Sequence, residues 1–374
     1  MKRFLLCQTI LLILIMTMVV FSQNKPDDLP FTPPVSIEPF QPVFHFAPVN
    51  QDTTNSCWSF ATTSFIESEV YRIHGRKIKL SVMFPVYYAF LEKARVFVET
   101  KGTSLFMPGD LFPMVIEMVR IHGIVPESVY QGRANGKQTY NHRLMEDEIK
   151  DLKKEIINNQ RWDQEWVQAR VRAILDTHLG APPVSFTFNG STYTPKQFAE
   201  AQVDLVWDDY LLVMSFTYAP FNTFAVLRVP DNWKKIDRYF NVPLGQFYMS
   251  MISALKNGYS VAIDGDIGEP GRIGKKDVAY IPAYDIPGAY INQQAREYRF
   301  DKNLTTDDHL MHIVGYTAIG GNDWFLVKDS WRDAFEGAQK GYFFYNADFA
   351  RLKILAFLTH KDAVPEISAL SDKQ

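Results

Sequence analysis

Residues 50–60 read Asn-Gln-Asp-Thr-Thr-Asn-Ser-Cys-Trp-Ser-Phe, and they constrain the fold more than any other stretch of the chain. Cys57 is one of two cysteines; the other, Cys7, lies in an N-terminal segment that reads as a targeting signal. The mature chain is therefore expected to carry one thiol and no internal disulfide. A helical pattern follows, with Phe60, Ser64, Ile66, Val70 and Tyr71 interleaved with Glu67 and Glu69. Cys57 thus falls at the start of a helix, where backbone N–H groups and the helix dipole favour an anion such as a thiolate. Gln51 stands six residues earlier and Trp58 directly follows. A lone cysteine is most often buried and inert, but Gln51, Trp58 and the helix start together favour a reactive one.

A partner for the thiol is found far along the chain. Residues 306–316, Thr-Asp-Asp-His-Leu-Met-His-Ile-Val-Gly-Tyr, enter a strand, and residues 324–331 form another that ends in Asp329-Ser330-Trp331. A thiol becomes a strong nucleophile when a neighbouring base takes its proton and a third group fixes that base. Ser330 has no base of its own and is not a nucleophile candidate.

Together these segments resemble the papain-like cysteine peptidases. In that family Gln, six residues on Cys, then Trp-x-Phe is typical. A catalytic His begins a strand with Gly-Tyr six and seven residues later, and the next strand ends in Asn-Ser-Trp. The resemblance implies Cys57 as nucleophile and Gln51, with the Cys57 backbone N–H, as the oxyanion hole. Counting back from Gly315 and Tyr316 selects His309 over His312 as the base. Asp329 would accept the second ring N–H of His309, and Trp331 would shield that bond. Two positions depart from the pattern: Asn55 replaces Gly and Asp329 replaces Asn. The added charge of Asp329 should favour imidazolium and shift the acidic limb of the pH profile.

Residues 102–110 resemble the family's glycine-containing substrate wall, with Gly109 alone where a glycine pair is usual. Gly109, Trp58 and Trp331 are the expected substrate-binding residues. Residues 231–233, 241–244 and 258–266 resemble the bleomycin hydrolase and aminopeptidase C branch. That branch implies an aminopeptidase whose C-terminal tail lies in the cleft, and a homo-oligomer. Here residues 363–374 are polar and carry no motif to transfer, so exopeptidase or endopeptidase action and the oligomeric state both stay open.

The resemblance implies an α+β papain-like fold of two lobes, a helical one and an antiparallel β-rich one, with the active site in the cleft between them. No cofactor and no metal are expected. Asp307, Asp308, His309 and His312 suggest a metal set, but an odd separation puts the two histidines on opposite faces of a strand. Asp264 and Asp266 share strand parity; hydrogen bonding to the Gly-rich turn is expected of them before a carboxylate pair.

The organisation follows from texture. Residues 1–22 pair Lys2 and Arg3 with a long apolar run and a cleavage site before Gln23, the pattern of a signal peptide. The globular part is expected in an exported compartment, periplasmic or extracellular, with membrane contact only if that segment stays uncleaved. Residues 23–49 are a Pro-rich extended arm. Residues 50–210 form the helical lobe, whose charged stretch 140–180 is a solvated insertion. Residues 211–360 form the β-rich lobe and 361–374 the tail. A net charge of −3 without basic runs excludes a nucleic-acid partner; a peptide or protein is the expected substrate. Three rival readings remain: a catalytically impaired binding relative, a transglutaminase-like or amidase enzyme, and a zymogen, for which residues 24–49 are short.

Overall fold

The computed structural model describes residue 29, residues 31–133 and residues 138–373. The expected signal peptide, residues 1–22, lies outside the described residues. The chain divides into Met1–Val35, whose residues 31–35 form no helix or strand, and Ser36–Gln374, which contains every element below.

Ser36–Gln374 opens with an extended arm. Glu38–Phe40 makes one 3-10 turn with Pro39 in it. Phe40 then stacks on Phe344, ring centroids 5.2 Å apart. The Val43 N–H donates to the Val314 carbonyl at 2.9 Å. That carbonyl is free because the ladder beside it steps from Gly315 to Ile313 and skips Val314.

Helices come first. They are α1 (Cys57–His74), α2 (Met83–Glu99), α3 (Phe112–His122), α4 (Arg143–Asn158) and α5 (Gln164–Leu179). A hairpin, β1 (Phe186–Phe188) and β2 (Ser191–Tyr193), precedes the short α6 (Pro195–Phe198). Local chemistry sets their ends. Gly75 closes α1 in the left-handed conformation (φ 67°). The Ser81 hydroxyl accepts from the Phe84 N–H at the start of α2. Thr194 and Gln197 form a reciprocal capping box on α6. In α4 the buried residues are Met145, Ile149, Leu152 and Ile156, one stripe on a charged helix, as the insertion pattern predicts.

The helix that carries Cys57 is enclosed on all sides along most of its length. Every residue from Trp58 to Val70 is buried, Glu67 and Glu69 included. Glu67 survives burial because Lys79 lies 3.1 Å away and the Leu80 N–H donates to it. Glu69 is paired with Arg72 and accepts from the Tyr210 hydroxyl. Buried charges persist only with such partners.

The remaining elements are β3 (Tyr210–Met214), β4 (Thr223–Ala225), β5 (Tyr239–Asn241), α7 (Leu244–Lys256), β6 (Val261–Gly265), β7 (Arg272–Ile273), β8 (Val278–Ala279) and α8 (Gln293–Asp301). They continue with β9 (His309–Ile319), β10 (Asn322–Lys328), β11 (Tyr342–Asn346), α9 (Ala347–Lys353), β12 (Ile354–His360) and α10 (Pro365–Ser371). Residues 215–217, strand-like in sequence, fall just past β3. There the Asn241 side chain takes the place of a ladder partner, accepting from the Phe216 N–H and donating to the Phe216 carbonyl.

One sheet runs β4-β5-β3-β12-β6-β9-β10-β11-β8-β7. It is antiparallel except for β3 with β5 and β11 with β8, which are parallel. Alternation along the strands divides the core. Ala262, Leu310 and Met214 join the apolar cluster around α1 to α5, whereas Val261, Ile263, Met311 and Val213 join the one around α7, α9 and α10. α1 therefore lies against one face of the sheet, and the start of β9 comes to its N-terminal end.

Candidate active site

The turn ahead of α1 places two residues in left-handed backbone, Asp52 (φ 51°) and Asn55 (φ 50°). Asp and Asn enter that region more readily than other non-glycine residues. Asn55 therefore serves where the family pattern has glycine. Its amide also donates to Glu146 of α4 at 3.0 and 3.2 Å. Cys57 follows as the first residue of α1 and is half-buried.

His309 opens β9 and is 2% exposed. Its Nε2 lies 2.7 Å from Asp329 Oδ1, and the Cys57 thiol is its hydrogen-bond partner in the cleft. Asp329 follows the last residue of β10, next to β9 in the sheet. Its Oδ1 also accepts from the Trp331 N–H at 2.7 Å. The Trp331 ring lies against His309 in a T-shaped arrangement, centroids 5.9 Å apart.

The second oxygen of Asp329 reveals a residue that sequence reasoning missed. Arg272 on β7 sends Nη2 to Asp329 Oδ2 at 2.6 Å, and its Nη1 reaches Asp333. The guanidinium lies over the Phe343 ring, 4.0 Å from its centroid. Carboxylate replaces amide here, and a buried cation answers the added charge. The signal was the departure itself, because a buried carboxylate needs more than one neutral partner.

Electrostatics follow from these contacts. Burial alone would depress His309, but the Asp329 charge, the hydrogen bond between them and the Cys57 thiol hold it up, at about 10. Burial would raise Asp329; His309, Arg272 and the Trp331 N–H bring it down to about 2. At neutral pH the site is thus imidazolium beside carboxylate, the state in which a histidine can stabilise a thiolate and later give up a proton.

Gln51 is 1% exposed and is held from two sides by Ser330. Its N–H donates to the Ser330 carbonyl (2.9 Å), and its Oε1 accepts from the Ser330 hydroxyl (2.7 Å). An amide fixed through its oxygen offers its NH2 as the donor, the requirement of an oxyanion hole.

Trp58 is 1% exposed, so the expectation that it touches substrate is corrected. It lies beneath the wall, and its indole N–H donates to the Pro108 carbonyl at 3.0 Å. Lys93, also 1% exposed, donates to the Met107 and Gly109 carbonyls and pairs with Asp110 at 2.9 Å. Gly109 is a position of close approach: a methyl group there would come 2.9 Å from Asp231 Oδ1.

The residues considered for metal do not converge. His312 turns to the Ser64 hydroxyl at 2.9 Å, two turns along α1, and burial holds it well below the usual histidine range. Asp308 accepts from the Ile267 N–H. Among the described residues no group of three or more His, Cys, Asp or Glu is arranged to hold a metal ion. Asp266 holds its turn as expected, accepting from the Gly268 and Thr306 N–H groups. Asp264 does not; it faces Asp307.

Among the described residues the last helix, α10, packs away from α1. Ile367 of α10 is fully buried in the cluster around α7, across the sheet from α1. No helix among the described residues is long and apolar enough to cross a membrane.

Comparison with known proteins agrees with this geometry. The profile of the Peptidase C1-like family matches residues 40–371. Aminopeptidase C of Streptococcus thermophilus is 24% identical over 341 residues, covering 79% of this chain and 76% of that one. Aminopeptidase C of Listeria innocua is 24% identical over 370 residues, covering 81% and 82%. Among solved structures, PepW from Lactobacillus rhamnosis HN001 superposes with a TM-score of 0.68 at 19% identity, over 88% of this chain and 83% of that one. The fold is papain-like.

Proposed function

The chain belongs to the Peptidase C1-like family, and from that membership we propose that it is a cysteine aminopeptidase acting through a thioester acyl-enzyme. The observation that carries the reading is the buried His309–Asp329 pair turned toward Cys57 at the start of α1. The Cys57 thiolate attacks the scissile carbonyl, and the new oxyanion is met by the Gln51 NH2 and the Cys57 N–H. His309 passes its proton to the leaving amine as the C–N bond breaks, leaving the acyl group on sulfur. Water then attacks the thioester, His309 takes its proton, and the thiolate returns.

Aminopeptidase action is supported by the names of the relatives, both Aminopeptidase C. Export is proposed from Lys2, Arg3 and the apolar run that follows them. The test is hydrolysis of fluorogenic peptides with free and blocked N-termini under reducing conditions, beside Cys57→Ala. Turnover of free-amine peptides that disappears in the variant is expected. Folded protein with no Cys57-dependent turnover would favour the binding-relative reading instead.

A further inference from the structure

An aminopeptidase needs a reason to prefer chain ends, and α10, the last helix among the described residues, packs in the cluster around α7 rather than in the one around α1. The region beside Gly109 offers such a reason. The Asp231 carboxylate presses on Gly109, while the Asp231 backbone N–H faces the Asp307 carboxylate. Asp307 lies two residues before His309. The Asp231 segment thus touches both the expected substrate wall at Gly109 and the residues that lead into the strand carrying His309.

That segment is held firmly. The Asn232 side chain donates to the Leu227 and Ile236 carbonyls and accepts from the Ile236 N–H. The Trp233 indole donates to Asp110 at 3.0 Å. Asp231 is therefore fixed from the residues that follow it.

The charges around it do not balance. Asp110 has Lys93, Asp266 has Lys353 and Asp329 has Arg272. Among the described residues no ion pair reaches Asp231, Asp264 or Asp307. Asp264 is fully buried, and neither of its oxygens meets an N–H or hydroxyl donor. Its neighbour is the Asp307 carboxyl, so the two must share a proton; burial raises both, Asp307 to about 7. A second group points the same way. The Tyr239 side chain is fully buried beside Asp264 and Asp307, and its hydroxyl has no hydrogen-bond partner. Buried polar groups left without partners mark a place completed by something else. An ammonium fits: it brings one positive charge and three N–H donors to carboxylates that now divide one proton.

We propose that Asp231, Asp264 and Asp307 form the subsite for the substrate's terminal ammonium, and that the Asp231 segment closes the cleft beyond it. The proposal rests on the aminopeptidase reading and gives that reading its structural cause. A peptide with a free N-terminus enters until its ammonium reaches the three aspartates. A longer or N-acylated chain would have to pass Asp231, and an acyl cap would leave the carboxylates unpaired.

The experiment compares free-amine and N-acetyl peptides of one sequence, with Leu or Lys near the N-terminus, on the native enzyme and on Asp231→Asn, Asp264→Asn and Asp307→Asn. The native enzyme is expected to favour free amines by roughly 100-fold or more in kcat/KM. Each variant should lose at least roughly ten-fold of that preference, through KM on the free-amine peptides, with N-acetyl turnover unchanged or raised. Calorimetric titration of Cys57→Ala with the same peptides reads the preference as binding, whether or not turnover is seen. Folded variants that keep the native preference overturn the proposal, as does a preference that follows the Lys side chain regardless of the N-terminus. Loss of Cys57-dependent turnover on every peptide would sink the peptidase reading; turnover without amine preference sinks only this subsite.

Discussion

At the scale of single residues, Asp329 decides the protonation of the site. The added carboxylate was expected to move the acidic limb of activity; the raised His309 predicts an effect on the alkaline limb as well. His309 is held up at about 10, and in the proposed mechanism it acts in its protonated form, so activity should fall as pH rises through that value. Replacing Asp329 by Asn removes the charge that raises it. The alkaline limb of kcat/KM should then drop by roughly 1–3 pH units, the range an adjacent opposite charge accounts for. Superimposable alkaline limbs for the two enzymes would refute this. Arg272 should behave as the partner of that charge. Arg272→Met leaves Asp329 Oδ2 buried without its cation and should cost roughly 3–5 kcal/mol in urea unfolding. The double variant with Asp329→Asn should recover part of the loss, because the uncompensated charge is gone; strict additivity would argue against the pair. Cys57, Gln51, His309 and Asp329 were legible because short fixed spacings surround each of them. Arg272 was not. Its partner Asp329 lies far along the chain, and a lone Arg carries no pattern that names a distant partner.

At the scale of elements, the wall loop is built from beneath. Trp58 leaves α1 to hold the Pro108 carbonyl, so the helix that presents the thiol also sets the surface beside it. Trp58→Phe should leave that carbonyl unpaired and cost about 1–3 kcal/mol. KM for peptides should rise several-fold and kcat much less; an unchanged KM would mean the loop is held by Lys93 alone. Helix positions were readable where local chemistry is strong, as in the charged stretch that becomes α4 with its single buried stripe. In α1 the helix was readable but the fate of Glu67 and Glu69 was not: both are buried with Lys79 and Arg72, and only tertiary structure brings Lys79 there. The two parallel strand pairs were equally hidden, since short strands reveal their faces in sequence but not their neighbours.

At the scale of the whole molecule, both ends of the Ser36–Gln374 unit are structural members. The arm lays Phe40 on Phe344, and the tail buries Val364 and Ile367 against the cluster around α7. Ending the chain after Ala363 should cost about 1.5–3 kcal/mol for each of those two side chains, seen as a lower thermal midpoint. It should not open the enzyme to N-blocked peptides. A truncated, folded protein that gains such activity would place the limiting element in the tail rather than at Asp231.

The burial of α1 has a practical corollary. The helix that begins with the only cysteine after Cys7 is enclosed from Trp58 to Val70. The surroundings of the thiol therefore depend on the packing of that helix. An electrophile that labels Cys57 at different rates in the folded and the unfolded chain would then report on folding as well as on catalysis.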